Sequence, residues 1–500
     1  MTLSIDPNAG QEARREQAAP LEVLIVGAGL AGIGAAQALR KGAPGLKFAI
    51  VEGRSRIGGT WDLFRYPGLR SDSDLQTLAY ADMPVNNGTL TARGEDILAY
   101  IKDAARKNGI DREILFEHRV TAADFDGDAG LWRVSIERGA EKSPITLACR
   151  FLYLCSGYYD YSAGYMPEFK GMADYAGRIV HPQDWPGDFD VSGKTVLIVG
   201  SGATAVTLVP ALAEKARHVL MIQRSPTYIA ALPNADGLAR LLARILPARA
   251  AYGLTRWRNI LLGMFFYRMA RQKPEWMKAR LLGDVRRRLG LDDEAMRNFT
   301  PRYNPWDQRL CLDPDGRFFD CLREGKASLA TGEIESFTTE GVRLRDGETF
   351  RADAVVLATG LNLQMFGGAK LSVDGVPLET GALMTYKGCM FAGVPNLVAA
   401  FGYANASWTL KCELTSGYFL RLLRVMTAKN AKSVAPLGAP AAADPVLALT
   451  SGYVQRAEKL MPRQGAEAPW RYNVNYLRDL QNLRFGRVDD GVLHFEGRRI

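Results

Sequence analysis

Two glycine-rich segments have the spacing of turns that bind a dinucleotide. In the first, Gly27-x-Gly29-x-x-Gly32 joins an apolar run to an Ala-rich segment, and Glu52 ends the next apolar run. Gly27 permits a tight turn, Gly29 lets a pyrophosphate approach the backbone, and Gly32 lets helix and strand pack closely. A carboxylate placed like Glu52 can bind ribose hydroxyls. This segment predicts a site for FAD or NAD.

The second segment, Gly200-x-Gly202-x-x-Ala205, repeats the pattern with one difference. No acid follows its second apolar run, which ends instead in Gln223-Arg224-Ser225. A carboxylate would repel a 2′-phosphate, whereas Arg224 and Ser225 can hold one, so this segment predicts NADP. The alternative is that Arg224 is an ordinary surface residue.

A dense loop after Glu52 should lie near the first nucleotide. It reads GGTWDLFRYPGLRSDSD over residues 58–74, with Trp61 and Tyr66 among Gly, Arg and Asp. A solvated loop does not account for two large aromatic side chains among so many charges.

This loop is similar to the flavin loop of class B flavoprotein monooxygenases of the Baeyer–Villiger type. The stretch YAGRIVHPQDWP at 175–186 resembles the linker fingerprint of that family, although the family usually has Phe where this chain has Tyr175. NPWDQRLCL at 304–312 and GYANASW at 402–408 match as well. We expect His181, inside the linker fingerprint, to hold the connection between the two nucleotide domains.

The resemblance implies which residues bind FAD and NADPH. For FAD these are Gly27, Gly29, Ala31, Gly32, Glu52, Thr60, Trp61, Asp62, Leu63, Asp72 and the backbone of Val120. For NADPH they are Arg70, Ser71, Gly200, Ser201, Gly202, Ala203, Thr204, Arg224 and Ser225. Many relatives have Lys where this chain has Gln308, so Arg224 and Ser225 should carry most of the 2′-phosphate binding.

The resemblance also implies a catalytic residue. Arg309 matches an Arg that reaches the flavin in the family, and Asp72 is expected to pair with it and set its position. A permanently charged guanidinium suits the stabilisation of negatively charged oxygen. The implied enzyme is an FAD-dependent, NADPH-consuming Baeyer–Villiger monooxygenase. Through a C4a-peroxyflavin, it would insert one atom of O2 into a small apolar ketone to give an ester or lactone.

Other functions use parts of the same pattern. An enzyme that oxygenates sulfur or nitrogen, in thioethers, thioamides or amines, would need the same cofactor residues. A dithiol flavin reductase needs a Cys pair near the flavin, and no Cys precedes Cys149. Outside the enzymes, the chain could be a nucleotide-binding regulator without chemistry.

These residues must be positioned by two β–α–β units, one beginning at LEVLIVGAGLAGIG and one at TVLIVGSGATAV. We therefore predict an α/β fold of two Rossmann-like dinucleotide-binding domains, one for FAD and one for NADP, with an inserted helical subdomain. The predicted division is a flexible tail (1–19), an FAD domain (20–160 and 366–500), an NADP domain (161–230 and 301–365) and a helical insert (231–300).

Composition narrows the class of protein. Six Cys in 500 residues form no disulfide scaffold, and neither they nor the four His have the spacing of a metal site. The N-terminus lacks the apolar region of a signal peptide, so we expect a cytoplasmic protein.

The positive charge is concentrated in one segment. Residues 240–288 hold thirteen Arg and Lys against two acids, a net charge of +11 in a chain of net charge +9. A nucleic-acid partner is not expected, because the charge lies away from the nucleotide motifs. We expect the helices here to pack one face, expose a polar one and line the substrate pocket. The alternative is a weak contact with a membrane surface.

Overall fold

The computed structural model describes residues 19–85, 88–441, 444–447 and 449–497. Apart from residue 19, the predicted flexible tail lies outside the described residues. The chain folds around two main sheets, and each glycine-rich turn follows a strand of one of them. The predicted α/β class is confirmed, with two dinucleotide-binding units and a helical insert.

The first sheet is built largely from the N-terminal third of the chain. Its first six strands are β1 (Leu21–Val26), β2 (Phe48–Val51), β3 (Ile114–Leu115), β4 (His118–Asp126), β5 (Leu131–Arg138) and β6 (Ser143–Leu154). They lie in the order β4–β5–β6–β1–β2–β3, and the pairs around β1 are parallel. The helices α1 (Leu30–Gly42) and α2 (Gly94–Lys107) pack on one face.

Strand β1 is buried on both sides, as its unbroken apolar run predicts. Val23 and Ile25 pack with α1 and α2, whereas Leu24 and Val26 pack on the opposite face of the sheet. Burial of each such side chain contributes about 1.5–3 kcal/mol relative to exposure. This packing fixes the carboxyl end of β1, where the first glycine-rich turn begins.

The second sheet is entirely parallel. Its strands are β7 (Arg178–Val180), β8 (Thr195–Val199), β9 (His218–Gln223), β10 (Ala327–Thr331) and β11 (Ala354–Leu357), in the order β10–β9–β8–β11–β7. The helix α3 (Ala203–Ala213) follows β8 across the second glycine-rich turn. Because β9 and β11 both flank β8, the residues that follow these strands meet at one edge of the sheet.

The predicted helical insert contains three helices: α4 (Gly237–Ile245), α5 (Ala248–Gln272) and α6 (Pro274–Leu289). No helix within the described residues is long and apolar enough to cross a membrane.

The chain then returns to the first sheet. Strands β12 (Lys370–Val373) and β13 (Val376–Pro377) extend it beyond β4, and β14 (Leu397–Ala399) pairs with the end of β6. The long helix α7 (Trp408–Ala428) packs against α1. The boundaries between the predicted domains remain a prediction.

Shorter elements complete the fold. Small sheets pair Tyr159–Gly164 with Leu361–Leu363, Ile229–Leu232 with Cys311–Pro314, Thr385–Tyr386 with Met390–Phe391, Ala431–Pro436 with Leu493–Gly497, and Asp444–Pro445 with Arg463–Gln464; another joins Ile334–Thr338, Gly341–Leu344 and Thr349–Arg351. Short helices lie at Thr60–Leu63, Leu75–Leu78, Arg317–Arg323, Gly452–Arg456 and Tyr476–Asp479, and a π-helical turn at Leu480–Phe485. The 3-10 turns are Asp111–Glu113, Met172–Asp174, Pro182–Asp184, Ala295–Phe299, Met365–Gly368, Thr380–Ala382 and Glu458–Leu460.

Candidate active site

The first glycine-rich turn has the backbone that its sequence predicts. Gly27 has a φ of 105°, and a Cβ there would lie 2.8 Å from the carbonyl oxygen of Cys155. A Cβ on Gly32 would lie 1.9 Å from the carbonyl oxygen of Gly27, so neither position accepts a side chain. Helix α1 begins after Gly29 with no side-chain cap and no acid in its first turn, which contains Ala31. Its free N–H groups suit a pyrophosphate.

Glu52 is held beside this turn. Its carboxylate accepts hydrogen bonds from the backbone N–H groups of Ala28 at 2.8 Å and Arg54 at 2.9 Å. Burial raises the pKa of Glu52 above its ordinary value, although these two hydrogen bonds oppose the shift. The N–H of His118 donates to the Glu52 carbonyl at 2.9 Å, which brings the start of β4, and with it Val120, to the same end of the sheet.

The loop after Glu52 is held by ion pairs. The carboxylate of Asp62 is buried and lies 2.7 Å from Arg54, 2.7 Å from Arg65 and 3.4 Å from Arg56. Three cations already surround this side chain, so its expected contact with a flavin would have to use its backbone. Its neighbour Thr60 has its hydroxyl 3.0 Å from the Tyr161 hydroxyl, and Trp61 and Leu63 are half-buried.

The second glycine-rich turn repeats the geometry of the first. Gly200 has a φ of 139°, and a Cβ there would lie 2.3 Å from the carbonyl oxygen of Ala358. Gly202 precedes α3, whose first turn again has no acid and no side-chain cap. Ser201 and Ala203 lie in this turn. Tyr66 of the loop after Glu52 packs against the same hydrophobic cluster as Ala203, so that loop reaches the second glycine-rich turn.

Arg70 and Ser71 lie in the same loop. The Arg70 guanidinium donates to the Leu312 carbonyl at 2.6 Å, but its Nε is buried without a hydrogen-bond partner among the described residues. A buried N–H with no partner suits an anionic oxygen from a nucleotide. The Ser71 hydroxyl is buried and is used in a local turn with Ser73 at 3.0 Å.

The predicted catalytic Arg309 lies near Tyr158, which follows β6 of the first sheet, and near the segment before α7. Its Nε donates to the Ala404 carbonyl oxygen at 3.3 Å. Burial by itself lowers the pKa of this guanidinium, but nearby tyrosines and Asp72 outweigh it and raise the pKa above its ordinary value. The tyrosines are Tyr158, Tyr453 and Tyr159. Arg309 is therefore a permanent cation at this position.

Arg309 and Asp72, which the resemblance pairs, lie near each other in the structure. The two side chains are close enough for Arg309 to lower the pKa of Asp72, but within the described part of the chain no ion pair joins them. Burial raises the pKa of Asp72 above its ordinary value, and Arg70 opposes this shift more strongly than Arg309 does. The pairing of Arg309 with Asp72 stays a prediction: their charges interact, while the Arg309 Nε donates to the Ala404 carbonyl oxygen.

Arg224 and Ser225 are exposed directly after β9. Arg456 stands near Arg224, whose positive charge contributes to lowering the pKa of Arg456, after the larger effect of burial. The Arg456 guanidinium lies 3.5 Å from the centre of the Tyr165 ring and donates to the Leu361 carbonyl at 3.3 Å. Within the described residues no carboxylate pairs with either arginine, so both positive charges are available to an anion.

The sequence did not point to several of these neighbours. Tyr158 and Tyr159 directly follow the strand that closes the first unit, a position that could have marked them. Tyr453 and Arg456 lie on a short helix far along the chain and have no recognisable motif.

His181 lies at a junction between two strands of the second sheet. Its Nδ1 accepts a hydrogen bond from the N–H of Gln183 at 3.1 Å, and its Nε2 contacts the Gly360 carbonyl at 3.1 Å. Burial lowers its pKa from the ordinary value. These contacts join β7 to the end of β11, in agreement with the structural role that the sequence suggested.

Comparison with known proteins adds the family. A family model described as flavin-binding monooxygenase-like matches residues 21–240. The chain is 46% identical over 481 residues to the FAD-containing monooxygenase EthA of Mycobacterium tuberculosis, covering 96% of this chain and 98% of that protein. The chain belongs to the flavin-binding monooxygenase family.

Further relatives agree with this membership. The probable FAD-binding monooxygenase AlmA of Acinetobacter baylyi is 45% identical, with 95% of this flavin-binding monooxygenase and 96% of AlmA covered. The fold is similar to a solved structure of oxidized steroid monooxygenase bound to NADP, with a TM-score of 0.75 and 22% identity over 96% of this chain and all of that one. The family predicted from the sequence motifs is thus confirmed, as is its monooxygenase class.

Proposed function

We propose that this flavin-binding monooxygenase uses FAD and NADPH to insert one oxygen atom of O2 into a small apolar ketone. The balanced reaction consumes ketone, O2, NADPH and a proton, and gives an ester or lactone, water and NADP+. The observation that carries the proposal is Arg309, a permanent cation beside Tyr158 and Tyr159 that forms no ion pair with a carboxylate among the described residues.

The residues fit FAD at the first turn and NADPH at the second. The open N-terminus of α1 would hold the FAD pyrophosphate, and Glu52 would bind the ribose. The unpartnered Nε of Arg70 and the N-terminus of α3 suit the phosphates of NADPH. Arg224 and Arg456 suit its 2′-phosphate. When bound, FAD supplies the electron transfer and oxygen activation that protein side chains lack.

Arg309 would act on the reacting oxygen. As the ketone is attacked, negative charge develops on its oxygen, and a guanidinium already fixed nearby stabilises that charge without reorganisation. Its hydrogen bond to the Ala404 carbonyl sets its direction, and Asp72 tunes the local charge without quenching it. The tyrosines Tyr158, Tyr159 and Tyr453 would exclude water from the reacting atoms.

Labelled oxygen tests the proposal. Purified protein with FAD and NADPH is supplied with 18O2 and, in separate reactions, a cyclic ketone, a long-chain ketone and a thioether. We expect esters or lactones that carry one labelled atom. A sulfoxide without any ester would establish heteroatom oxygenation instead. Protein that binds nucleotides but consumes neither NADPH nor O2 would contradict the proposal and favour a nucleotide-binding regulator.

A further inference from the structure

The outward surface of the helical insert carries many apolar side chains besides the polar ones that its sequence predicted. Ten large hydrophobic side chains between Leu238 and Trp276 are 42–65% exposed. On α4, the exposed Leu238, Leu241 and Ile245 follow each other at helical spacing and so share one side. Exposed apolar patches of this extent mark interaction surfaces.

Helix α5 also has an exposed apolar side. At 3.6 residues per turn, Leu254, Leu261 and Phe265 lie along one side of the helix, opposite the buried Tyr252 and Arg256. Trp257, Leu262 and Phe266, also exposed, widen this side. Together with the exposed side of α4 and Trp276 of α6, these residues form what we call the insert face.

The insert face is fixed outward by its buried side. The Tyr252 hydroxyl lies 2.9 Å from the Gln76 carbonyl and 3.0 Å from the Tyr80 carbonyl. The Arg256 guanidinium pairs with Glu413 at 2.6 Å and also donates to the Gln76 carbonyl at 2.7 Å. Turning α5 inward would break these buried polar contacts, so the insert face is not a lid that closes by rotation.

Cations surround the insert face. Arg244, Arg268, Lys273 and Arg280 are exposed, and no carboxylate pairs with any of them among the described residues. Arg268 lies on the same side of α5 as Leu261 and Phe265, and Arg280 lies one turn beyond Trp276 on α6. Apolar and aromatic side chains among unpaired cations are typical of helices that lie on anionic lipid.

Charge also distinguishes between the partners that could bind the insert face: a second copy of the chain, a nucleic acid or a lipid bilayer. A second copy would bring another segment of net charge +11 against the first, and the like charges would repel. A nucleic acid would satisfy the cations but would leave Leu, Ile and Phe exposed. We propose that the insert face docks the enzyme on the surface of an anionic lipid bilayer, without crossing it.

Vesicle flotation tests this docking. The full-length protein is mixed with vesicles of phosphatidylcholine alone or of equal parts phosphatidylcholine and phosphatidylglycerol, at about 0.1 M and about 0.5 M salt. We expect at least tenfold stronger partitioning to the anionic vesicles and a marked loss at the higher salt. Equal binding to both vesicle types, or binding to neither, would overturn the proposal.

Two variants assign any binding to the insert face. Replacing Arg244, Arg268, Lys273 and Arg280 with Gln should weaken partitioning about fivefold for each charge in contact with the bilayer. Leu261→Ser with Phe265→Ser should weaken it about tenfold or more. The matched controls change exposed residues elsewhere: Lys47, Lys102, Arg112 and Arg343 to Gln, and Val376 and Leu437 to Ser.

Because all the altered side chains are exposed, we expect every variant to fold, and circular dichroism checks this. Controls that lose binding as strongly as the insert-face variants would overturn the assignment. A dimer would overturn it as well. The decisive result would be a concentration-dependent dimer of the wild type, seen by analytical ultracentrifugation and abolished by Leu261→Ser with Phe265→Ser, together with no binding of the wild type to vesicles. Docking is measured without substrate, so its failure leaves the proposed oxygenation untouched.

Discussion

The Arg309 Nε and the Ala404 carbonyl oxygen are joined by a hydrogen bond of 3.3 Å across a separation of 95 residues. This contact links the segment that follows the helical insert to the loop that precedes α7. Among the described residues Asp72 interacts with this guanidinium through its charge, without an ion pair within 4.0 Å.

Replacement of Arg309 should separate reduction from oxygenation. In Arg309→Ala, we expect reduction of bound FAD by NADPH at the wild-type rate, because hydride transfer does not need this cation. Ester formation should fall about 100-fold or more, the typical loss for a preorganised donor to an oxyanion. Anaerobic stopped-flow absorbance measures the first step and product chromatography the second.

Arg302→Ala serves as the matched control, because Arg302 is an exposed arginine nearby in the chain. Normal ester yield from Arg309→Ala would falsify the catalytic assignment.

The cation pair near β9 should set the preference for NADPH over NADH. Removing a charge-assisted contact to the 2′-phosphate in Arg224→Ala or Arg456→Ala should raise the KM for NADPH about tenfold. The KM for NADH should not change, since NADH has no phosphate at that position. Steady-state rates with both coenzymes measure the ratio, and Arg343→Ala is the control. An equal rise for both coenzymes would point to a structural role.

Asp313 should make stability depend on pH. Its carboxylate is buried, accepts the Phe318 N–H at 3.1 Å, and burial raises its pKa from 3.8 to about 6. Below pH 3.8 it is protonated in both folded and unfolded states, so it has no effect on stability there. As pH rises to about 6, the unfolded state ionises first and the free energy of unfolding falls by about 3 kcal/mol.

Asp313→Asn should remove this fall. The free energy of unfolding of the variant should therefore rise relative to that of the wild type between pH 4 and pH 6, and the difference should persist above pH 6. Urea unfolding across that range measures it, with the exposed Asp128→Asn as control. A variant whose difference from the wild type is the same at both ends of the range would show that Asp313 is not the titrating group.

A fully buried ion pair should support the loop that holds Arg309. Lys411 Nζ lies 2.7 Å from Asp479, which also accepts a hydrogen bond from the Tyr403 hydroxyl at 2.6 Å. Tyr403 precedes Ala404 in the chain. Asp479→Asn leaves Lys411 as an uncompensated buried charge and should lower the free energy of unfolding by about 3–5 kcal/mol.

The double variant Lys411→Met with Asp479→Leu should recover most of that stability, since two apolar side chains replace both charges. In both variants the share of NADPH that ends in ester should fall, because Arg309 loses its fixed acceptor. Denaturant titration and product-to-NADPH ratios measure the two effects. If a stable double variant still converted as large a share of its NADPH into ester as the wild type does, the ion pair would have no role in positioning Arg309.

The sequence alone determined the parts of the site that depend on local backbone chemistry. Gly27 and Gly200 must turn where a side chain would strike a neighbouring strand, and the strands and helices around them follow from unbroken apolar runs. Glu52 and Arg224 each lie where an apolar run ends, and the contrast in their charges is the basis on which we predict FAD at the first turn and NADP at the second.

Only the tertiary structure decided what meets between the two units. The Ala404 carbonyl oxygen accepts a hydrogen bond from Arg309, and Arg456 lies near Arg224. The Asp62 carboxylate is surrounded by three arginines. The fold creates all of these contacts. The sequence also did not predict the exposed apolar side chains of the insert face. Periodicity indicates that a helix has two different sides, but it does not indicate which side is packed. Long-range packing makes that choice, and it leaves no local pattern in the chain.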